Sequence, residues 1–163
     1  MPAPTPPEPR DPAAEPPAPA SVVIERRVEW SDTDAAGHQH FSTALRWAEA
    51  AEAVLLRRLG LQHLFGSTPR VRFEADYQRR LWFGETVRVE LRVAKVGTSS
   101  LHYAFEVRGA EGVAATGRMV IAYSGARDAG TTPWPDDMRA AFAQAGPQAG
   151  EVYAAPDPNI ASD

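Results

Sequence analysis

Four side chains that can act on an activated carbonyl lie close together in the sequence: Asp32, Asp34, His38 and His40. A segment with helical periodicity follows them directly. The first turn of a helix presents unpaired backbone N–H groups and the positive end of the helix dipole. Such N–H groups can hold the oxyanion that forms when a carbonyl is attacked, and a carboxylate nearby can attack that carbonyl or take a proton from water. The segment therefore predicts attack on an acyl group with a good leaving group, such as a thioester.

The same residues admit other interpretations. Their oxygen and nitrogen atoms are ligands for metal ions. The chain has no second histidine cluster and no HExxH helix, so a metal hydrolase is the weaker interpretation, and neither a metal nor a cofactor is predicted. Asp34 is also a residue type common in turns. For Asp32 we favour a structural role in which its side chain holds the loop, and for His40 a packed or partly exposed position in the loop.

The elements that position this loop follow from hydrophobic periodicity. Residues 21–30, SVVIERRVEW, predict a strand with Val22, Ile24, Val28 and Trp30 on one face. Apolar residues at three- and four-residue steps predict a helix over 43–59. A hydroxyl of Ser42 or Thr43 is expected to cap its start, and Gly60 is expected to end it with a positive φ.

Strand patterns dominate the rest of the chain. Alternating apolar residues predict strands over 69–77, 85–96, 100–107 and 112–124, joined by short glycine-bearing connections. A short amphipathic helix is expected within PWPDDMRAAFAQAG. An antiparallel sheet with one apolar face needs a cover, and one long helix is available. The pattern therefore predicts an α+β hotdog fold: a four-strand meander and the first strand curved around one central helix.

Composition bounds the remaining possibilities. The first 20 of the 163 residues include nine prolines, which predicts a disordered tail, followed by one domain over 21–145 and a flexible C-terminal tail over 146–163. A net charge of −4 disfavours a nucleic-acid binder, and the lack of cysteine excludes disulfides and thiolate nucleophiles. No apolar run is long enough for a membrane span and no secretory signal is seen, so we expect a cytoplasmic protein.

Several motifs, in order, resemble the 4-hydroxybenzoyl-CoA thioesterase family of hotdog proteins. Residues 30–41, WSDTDAAGHQHF, look like the family's DxDxxG loop, and LRWAE over 45–49 resembles its helix. LWFGE over 81–85 resembles the turn into its long strands, and PDDMR over 135–139 resembles its C-terminal segment. The likeness spans residues 22–145.

The resemblance implies a set of site residues. The second aspartate of the loop, Asp34, corresponds to the family's catalytic carboxylate. His38 matches the histidine of the GHVNN variant of this loop, and Glu49 on the helix faces the site in some branches. A backbone N–H of His40 or Phe41 is implied to polarise the thioester carbonyl, although His40–Phe41 departs from the Asn-Asn of many relatives. The family is implied to form homodimers or homotetramers with sites at the subunit boundary.

Two function classes stay open at this level. The first is hydrolysis of an acyl-CoA or of an acyl group on a carrier protein, with CoA favoured because carrier proteins are themselves acidic. The second is a non-catalytic acyl-binding module. Candidate contacts to pantetheine or to a CoA phosphate are Arg118 and the hairpin residues Thr98, Ser99 and Ser100, although ordinary hairpin chemistry is the preferred interpretation for the two serines.

Overall fold

The structure, a computed structural model, describes residues 17–125 and 130–154. Two α-helices and six strands make up this part of the chain, with short 3-10 helices at Trp30–Asp32 and Gln62–Leu64. The elements in chain order are β1 (Ala18–Arg27), α1 (Thr43–Arg58), β2 (Arg70–Tyr77), β3 (Thr86–Val96), β4 (Ser100–Gly109), β5 (Gly112–Ala122), α2 (Asp136–Gln144) and β6 (Ala145–Glu151).

One sheet contains all six strands in the order β2-β5-β4-β3-β1-β6. Neighbouring strands are antiparallel except for β1 and β6, which are parallel. Alternate residues of β3 and β4 are buried, and the apolar face of α1 packs on that side of the sheet. This arrangement confirms the predicted α+β hotdog fold, since the alternating pattern leaves each central strand one apolar face for the helix to cover.

The predicted four-strand meander is wrong in one respect. Strands β3, β4 and β5 form a meander, but β2 pairs with β5 rather than with β3. The free side of β3 is occupied by β1, from Ser21 paired with Arg92 to Arg27 paired with Thr86. Strand β2 therefore lies at the far edge of the sheet, with one neighbour among the described strands.

Some residues that were expected to belong to the two tails take part in the sheet. Strand β1 begins at Ala18 and ends at Arg27, so the exposed Trp30 lies beyond it and not on its buried face. Residues 146–151, expected to be flexible, belong to β6 (Ala145–Glu151) beside β1. The rest of the predicted tails, residues 1–16 and 155–163, lies outside the described residues.

The two ends of α1 differ from each other in how well the sequence predicted them. Gly60 has φ of +71°, which confirms the predicted stop after the helix. At its start, no side chain caps the helix; the Ser42 hydroxyl instead bonds the ring Nδ1 of His40 at 2.8 Å. Neither described helix is long and apolar enough to cross a membrane.

Candidate active site

The loop between β1 and α1 is folded back on itself around Asp34. We call residues 33–40 the aspartate loop. The Asp34 N–H donates to the His38 carbonyl at 3.0 Å, and the Gly37 N–H donates to the Asp34 carbonyl at 2.9 Å. Gly37 has φ of +81°, a conformation that side chains with a Cβ rarely adopt, so a glycine suits this turn. Asp34 and His38 are thereby fixed opposite each other across a tight turn.

One carboxylate oxygen of Asp34 is used by the turn and the other is available. Oδ1 accepts a hydrogen bond from the Ala36 N–H at 2.8 Å, the geometry of an Asx turn. Within the described residues Oδ2 has no hydrogen-bond partner. The turn interpretation and the catalytic interpretation are therefore compatible, because the turn orients the carboxylate without consuming both oxygens.

Asp34 lies at the wall of a cleft of about 370 Å³ between the aspartate loop and the end of β2. Its side chain is half-buried, so it faces a walled space and not bulk solvent on all sides. The cleft is lined by Asp34, His38, Gln39, Phe41, Tyr77, Gln78, Arg79 and Arg80.

His38 is held with one ring nitrogen free. Its Nδ1 lies 3.1 Å from the Gln39 carbonyl oxygen, and its ring meets the Trp82 ring edge-on with centroids 5.8 Å apart. Because a carbonyl only accepts, this contact requires the proton on Nδ1 and leaves a lone pair on Nε2. A neutral His38 can therefore accept a proton or a hydrogen bond through Nε2.

The two backbone amides predicted for the oxyanion differ in the structure. The His40 N–H already donates to the Asp32 carbonyl at 2.7 Å, so the prediction for His40 is wrong in this geometry. The Phe41 N–H has no acceptor among the described residues, and Phe41 lines the cleft. The Tyr77 hydroxyl donates to the Phe41 carbonyl, and burial raises the pKa of Tyr77, which keeps that hydroxyl protonated. Phe41 is the one of the two that presents a free donor.

Asp32 has the contacts of a structural residue. It is buried, its Oδ2 accepts from the Glu29 N–H at 3.0 Å, and its Oδ1 lies 3.1 Å from the Arg46 guanidinium. Its carbonyl accepts from the Thr43 hydroxyl at 2.9 Å as well as from the His40 N–H. The side chain is thus occupied in tying the loop to the start of α1, as the sequence interpretation favoured.

Glu49 lies away from the cleft. Its carboxylate pairs with Arg70 on β2 at 3.2 Å and is not among the cleft-lining residues. One turn further along α1, the Glu52 carboxylate is 4% exposed and accepts from the same arginine at 2.5 Å. Burial raises the pKa of Glu52 more than Arg70 lowers it. Burial and the Glu52 carboxylate together raise the pKa of Tyr103 well above its usual value.

The residues predicted to contact pantetheine or phosphate are also outside this cleft. The Thr98 carbonyl accepts from the Trp134 N–H and the Ser99 carbonyl from the Tyr123 N–H, while the Ser100 hydroxyl lies 3.2 Å from the His102 ring. These contacts are those of a hairpin that supports the segment before α2. Arg118 lies on the outer face of the sheet, in a second, charged groove of about 410 Å³. Within one chain, none of the four lines the Asp34 cleft.

Five cleft residues were not predicted: Gln39, Tyr77, Gln78, Arg79 and Arg80. The Arg79–Arg80 pair was a visible basic signal, directly after a strand and before the LWFGE turn. What sequence reasoning lacked was the pairing of β2 with β5, which places the end of β2 beside the aspartate loop.

No group of three or more His, Asp or Glu side chains within residues 17–125 and 130–154 is arranged to hold a metal ion. Asp34 and His38 share the cleft, whereas Asp32 and His40 are engaged elsewhere by Arg46 and Ser42. The metal-binding interpretation therefore gains no support from the arrangement of these side chains.

Comparisons with known proteins bear on the same region. Residues 28–142 match the family model described as "Thioesterase-like superfamily". The chain is 32% identical over 100 residues to a 1,4-dihydroxy-2-naphthoyl-CoA hydrolase of Prochlorococcus marinus strain NATL1A, which is 53% of this chain and 67% of that protein.

Solved structures give the same picture. A predicted thioesterase from Bacillus stearothermophilus is 25% identical with a TM-score of 0.69, over 75% of this chain and 93% of that one. A thioesterase from Thermus thermophilus, solved with coenzyme A and Zn, is 26% identical with a TM-score of 0.67, over 74% and 90% of the two chains.

Proposed function

Because this chain belongs to the thioesterase-like superfamily, whose model matches residues 28–142, we propose that it hydrolyses the thioester of an acyl- or aroyl-CoA in the cleft beside Asp34. The observation that carries the proposal is a fixed carboxylate with one uncommitted oxygen in the same cleft as an unpaired backbone N–H, that of Phe41. A carboxylate can attack a thioester or activate water, and an amide donor can stabilise the oxyanion that forms.

In the proposed reaction the Phe41 N–H donates to the thioester carbonyl oxygen and stabilises the negative charge that develops there. Two routes then lead to products. In one, Asp34 Oδ2 attacks the carbonyl carbon, the C–S bond breaks, the thiolate leaves and takes up a proton, and water hydrolyses the mixed anhydride. In the other, Asp34 takes a proton from a water molecule that attacks the same carbon, and the departing sulfur receives that proton. In either route, Nε2 of His38 is available to orient the water.

Two features favour CoA over a carrier protein as the thiol. Arg79 and Arg80 line the cleft, and CoA carries phosphates that arginine binds well. Arg79 is 3.5 Å from the exposed Glu111, a pair that solvent weakens, and Arg80 has no ion-pair partner within the described residues. The two charges are therefore accessible to a phosphate.

The acyl group is proposed to be aromatic. Phe41 and Tyr77 line the cleft and are both exposed, so a planar acyl group would find two aromatic faces there. The Prochlorococcus relative is named for an aroyl-CoA, the 1,4-dihydroxy-2-naphthoyl thioester. We therefore place 1,4-dihydroxy-2-naphthoyl-CoA first among the candidate substrates.

The chain is also proposed to form homodimers or homotetramers through β2. This strand has one neighbour within the described sheet, and Val71 and Tyr77 on it are exposed apolar side chains. An exposed edge strand is a template for pairing with another chain. Pairing with β2 of a second copy of the chain would cover these side chains. It would also close one side of the cleft, because Tyr77 lies on β2 and lines the cleft. Light scattering of the purified protein measures the assembly.

The function is tested with a panel of thioesters and a thiol-detecting dye. The panel contains 1,4-dihydroxy-2-naphthoyl-CoA, benzoyl-CoA, short and long straight-chain acyl-CoAs, and one acyl group on a carrier protein. We expect thiol release from the CoA thioesters, fastest for an aroyl-CoA, and the same rates after dialysis against a chelator. Release of no thiol from any member would overturn the proposal in favour of a binding module, and turnover of the carrier-protein thioester alone would overturn the choice of CoA.

A further inference from the structure

Gln39 is a nearly buried polar residue of the aspartate loop, at the wall of the cleft. It is 8% exposed, yet both ends of its side-chain amide are bonded. Nε2 donates to the Arg79 carbonyl at 3.1 Å, and Oε1 accepts from the Leu81 N–H at 2.5 Å. Its own backbone N–H donates to the Leu81 carbonyl at 2.9 Å. Three hydrogen bonds thus join one residue of the aspartate loop to two residues of the opposite wall.

The segment that Gln39 holds has little regular structure of its own. We call residues 78–81 the arginine loop. Strand β2 ends at Tyr77, and the N–H groups of Gln78 and Arg79 both donate to the single Ala114 carbonyl, at 2.8 and 3.2 Å. Beyond these, the backbone of Arg79 and Leu81 is held by Gln39. The position of Arg80, which lies between them, therefore depends on the Gln39 side chain.

The two side-chain hydrogen bonds to Arg79 and Leu81 depend on the amide group of Gln39. In the GHVNN variant of the loop, the position of Gln39 is valine, which has no side-chain donor or acceptor. A valine would leave the Arg79 carbonyl and the Leu81 N–H without these partners. The glutamine links the carboxylate side of the cleft to its cationic side.

We infer that Gln39 is a positioning residue: it holds the arginine loop so that Arg79 and Arg80 bind the phosphates of the CoA nucleotide. The inference rests on the proposed function. It predicts an effect on affinity for the nucleotide end of the substrate and little effect on the chemical step, because the Asp34 turn is held by its Asx bond and the Phe41 carbonyl by the Tyr77 hydroxyl.

The test replaces Gln39 with methionine, which has a similar length and makes no strong hydrogen bond. For an aroyl-CoA, Gln39→Met is expected to raise KM about fivefold to tenfold while kcat stays within about twofold, since two ordinary hydrogen bonds are lost. For the same aroyl group on pantetheine, which lacks the nucleotide, KM is expected to stay unchanged. Gln62→Met, at an exposed glutamine of the 3-10 helix after α1, is the matched control and should behave as the wild type.

Two further measurements keep the inference separate from folding and from the proposed function. Calorimetry with CoA alone should show a Kd raised by the same factor in Gln39→Met, whether or not the protein turns over a thioester. If Gln39→Met does not fold, Gln39→Glu, which keeps the acceptor for Leu81 but sets a carboxylate oxygen against the Arg79 carbonyl, should show a rise at least as large. An unchanged Kd for CoA, or an equal rise in KM for the CoA and pantetheine thioesters, overturns the positioning role. Wild-type protein that binds CoA but hydrolyses no thioester would instead refute the proposed function.

Discussion

Two carboxylates associated with α1 differ in their surroundings, and the difference bears on which of them could act on a substrate. Asp34, before the start of the helix, has one oxygen in a turn and the other open to a cleft. Glu52, within the helix, is buried against the sheet and accepts from Arg70 at 2.5 Å. Its carboxylate also interacts with the buried Tyr103 hydroxyl, and Glu52 does not line the Asp34 cleft.

The difference lies in access rather than in charge. Burial makes the ionised form of Glu52 costly, so the pKa of this carboxyl is raised, and a raised pKa is often taken as a mark of catalysis. In this protein the raised pKa of Glu52 accompanies its hydrogen bond with Arg70, which joins the edge strand β2 to α1. Asp34, by contrast, combines an orienting bond with space for a substrate. Under the proposed function, an open oxygen and a cleft distinguish Asp34 from Glu52, whereas a raised pKa does not.

The largest effect is expected from exchanging each carboxylate for its amide. Asp34→Asn keeps an acceptor for the Ala36 N–H but removes the nucleophile or base, so kcat should fall at least about 100-fold. Glu52→Gln keeps the bond from Arg70 and should leave kcat within about twofold, since it lies outside the cleft. Steady-state kinetics on the best aroyl-CoA of the panel measures both, with thermal unfolding of each variant as the control for folding. Near wild-type turnover in Asp34→Asn would show that Asp34 is not needed for the reaction. A comparable loss of kcat in Glu52→Gln would show that Glu52 is needed as well.

A smaller effect is expected in the pH dependence of stability. Because burial raises the pKa of folded Glu52 above its ordinary value of 4.5, the folded protein binds that proton more tightly than the unfolded chain does. The stability contributed by Glu52 is therefore fully present below pH 4.5 and is lost as the pH rises through the folded pKa. Glu52→Gln cannot titrate, so the free energy of unfolding of the variant minus that of the wild type should grow over this interval and then level off. Urea unfolding at several pH values from about 4 to about 8 measures this difference, and a difference that does not vary with pH would show that burial leaves the pKa of Glu52 unshifted.

The fold was largely predictable because each central element carries its own local signal. The period-two alternation of β3 and β4 and the helical stripe of α1 are visible within single segments. Strand β6 was missed because its sequence, AGPQAGE, has no apolar alternation, and it is held by backbone pairing with β1. The place of β2 was also missed, since strand order is set by contacts between distant segments.

The site residues also separate into those with a local sequence signal and those placed by contacts between distant segments. Asp34, His38 and Phe41 are neighbours in one short loop, so motif and helix position sufficed to bring them together. Arg80 lies at the cleft because of the β2–β5 pairing and the bonds of Gln39 to Arg79 and Leu81, none of which the sequence revealed. The prediction for His40 was wrong because the acceptor of its N–H, the Asp32 carbonyl, is fixed by the fold of the loop.

The smallest effect is expected at Glu49, which the family resemblance implicated in catalysis. Its carboxylate is nearly half exposed and pairs with Arg70 at 3.2 Å, and such a pair contributes at most about 1 kcal/mol. Glu49→Gln should therefore change kcat and KM for the aroyl-CoA by less than about twofold, with Glu106→Gln, at a partly exposed carboxylate bonded to Arg108, as the matched control. A tenfold or greater fall in kcat with unchanged thermal unfolding would place Glu49 in the reaction after all. Since it does not line the cleft of its own chain, that result would mean that Glu49 acts in the cleft of a second subunit, and light scattering of the same preparation would then have to show a dimer or larger.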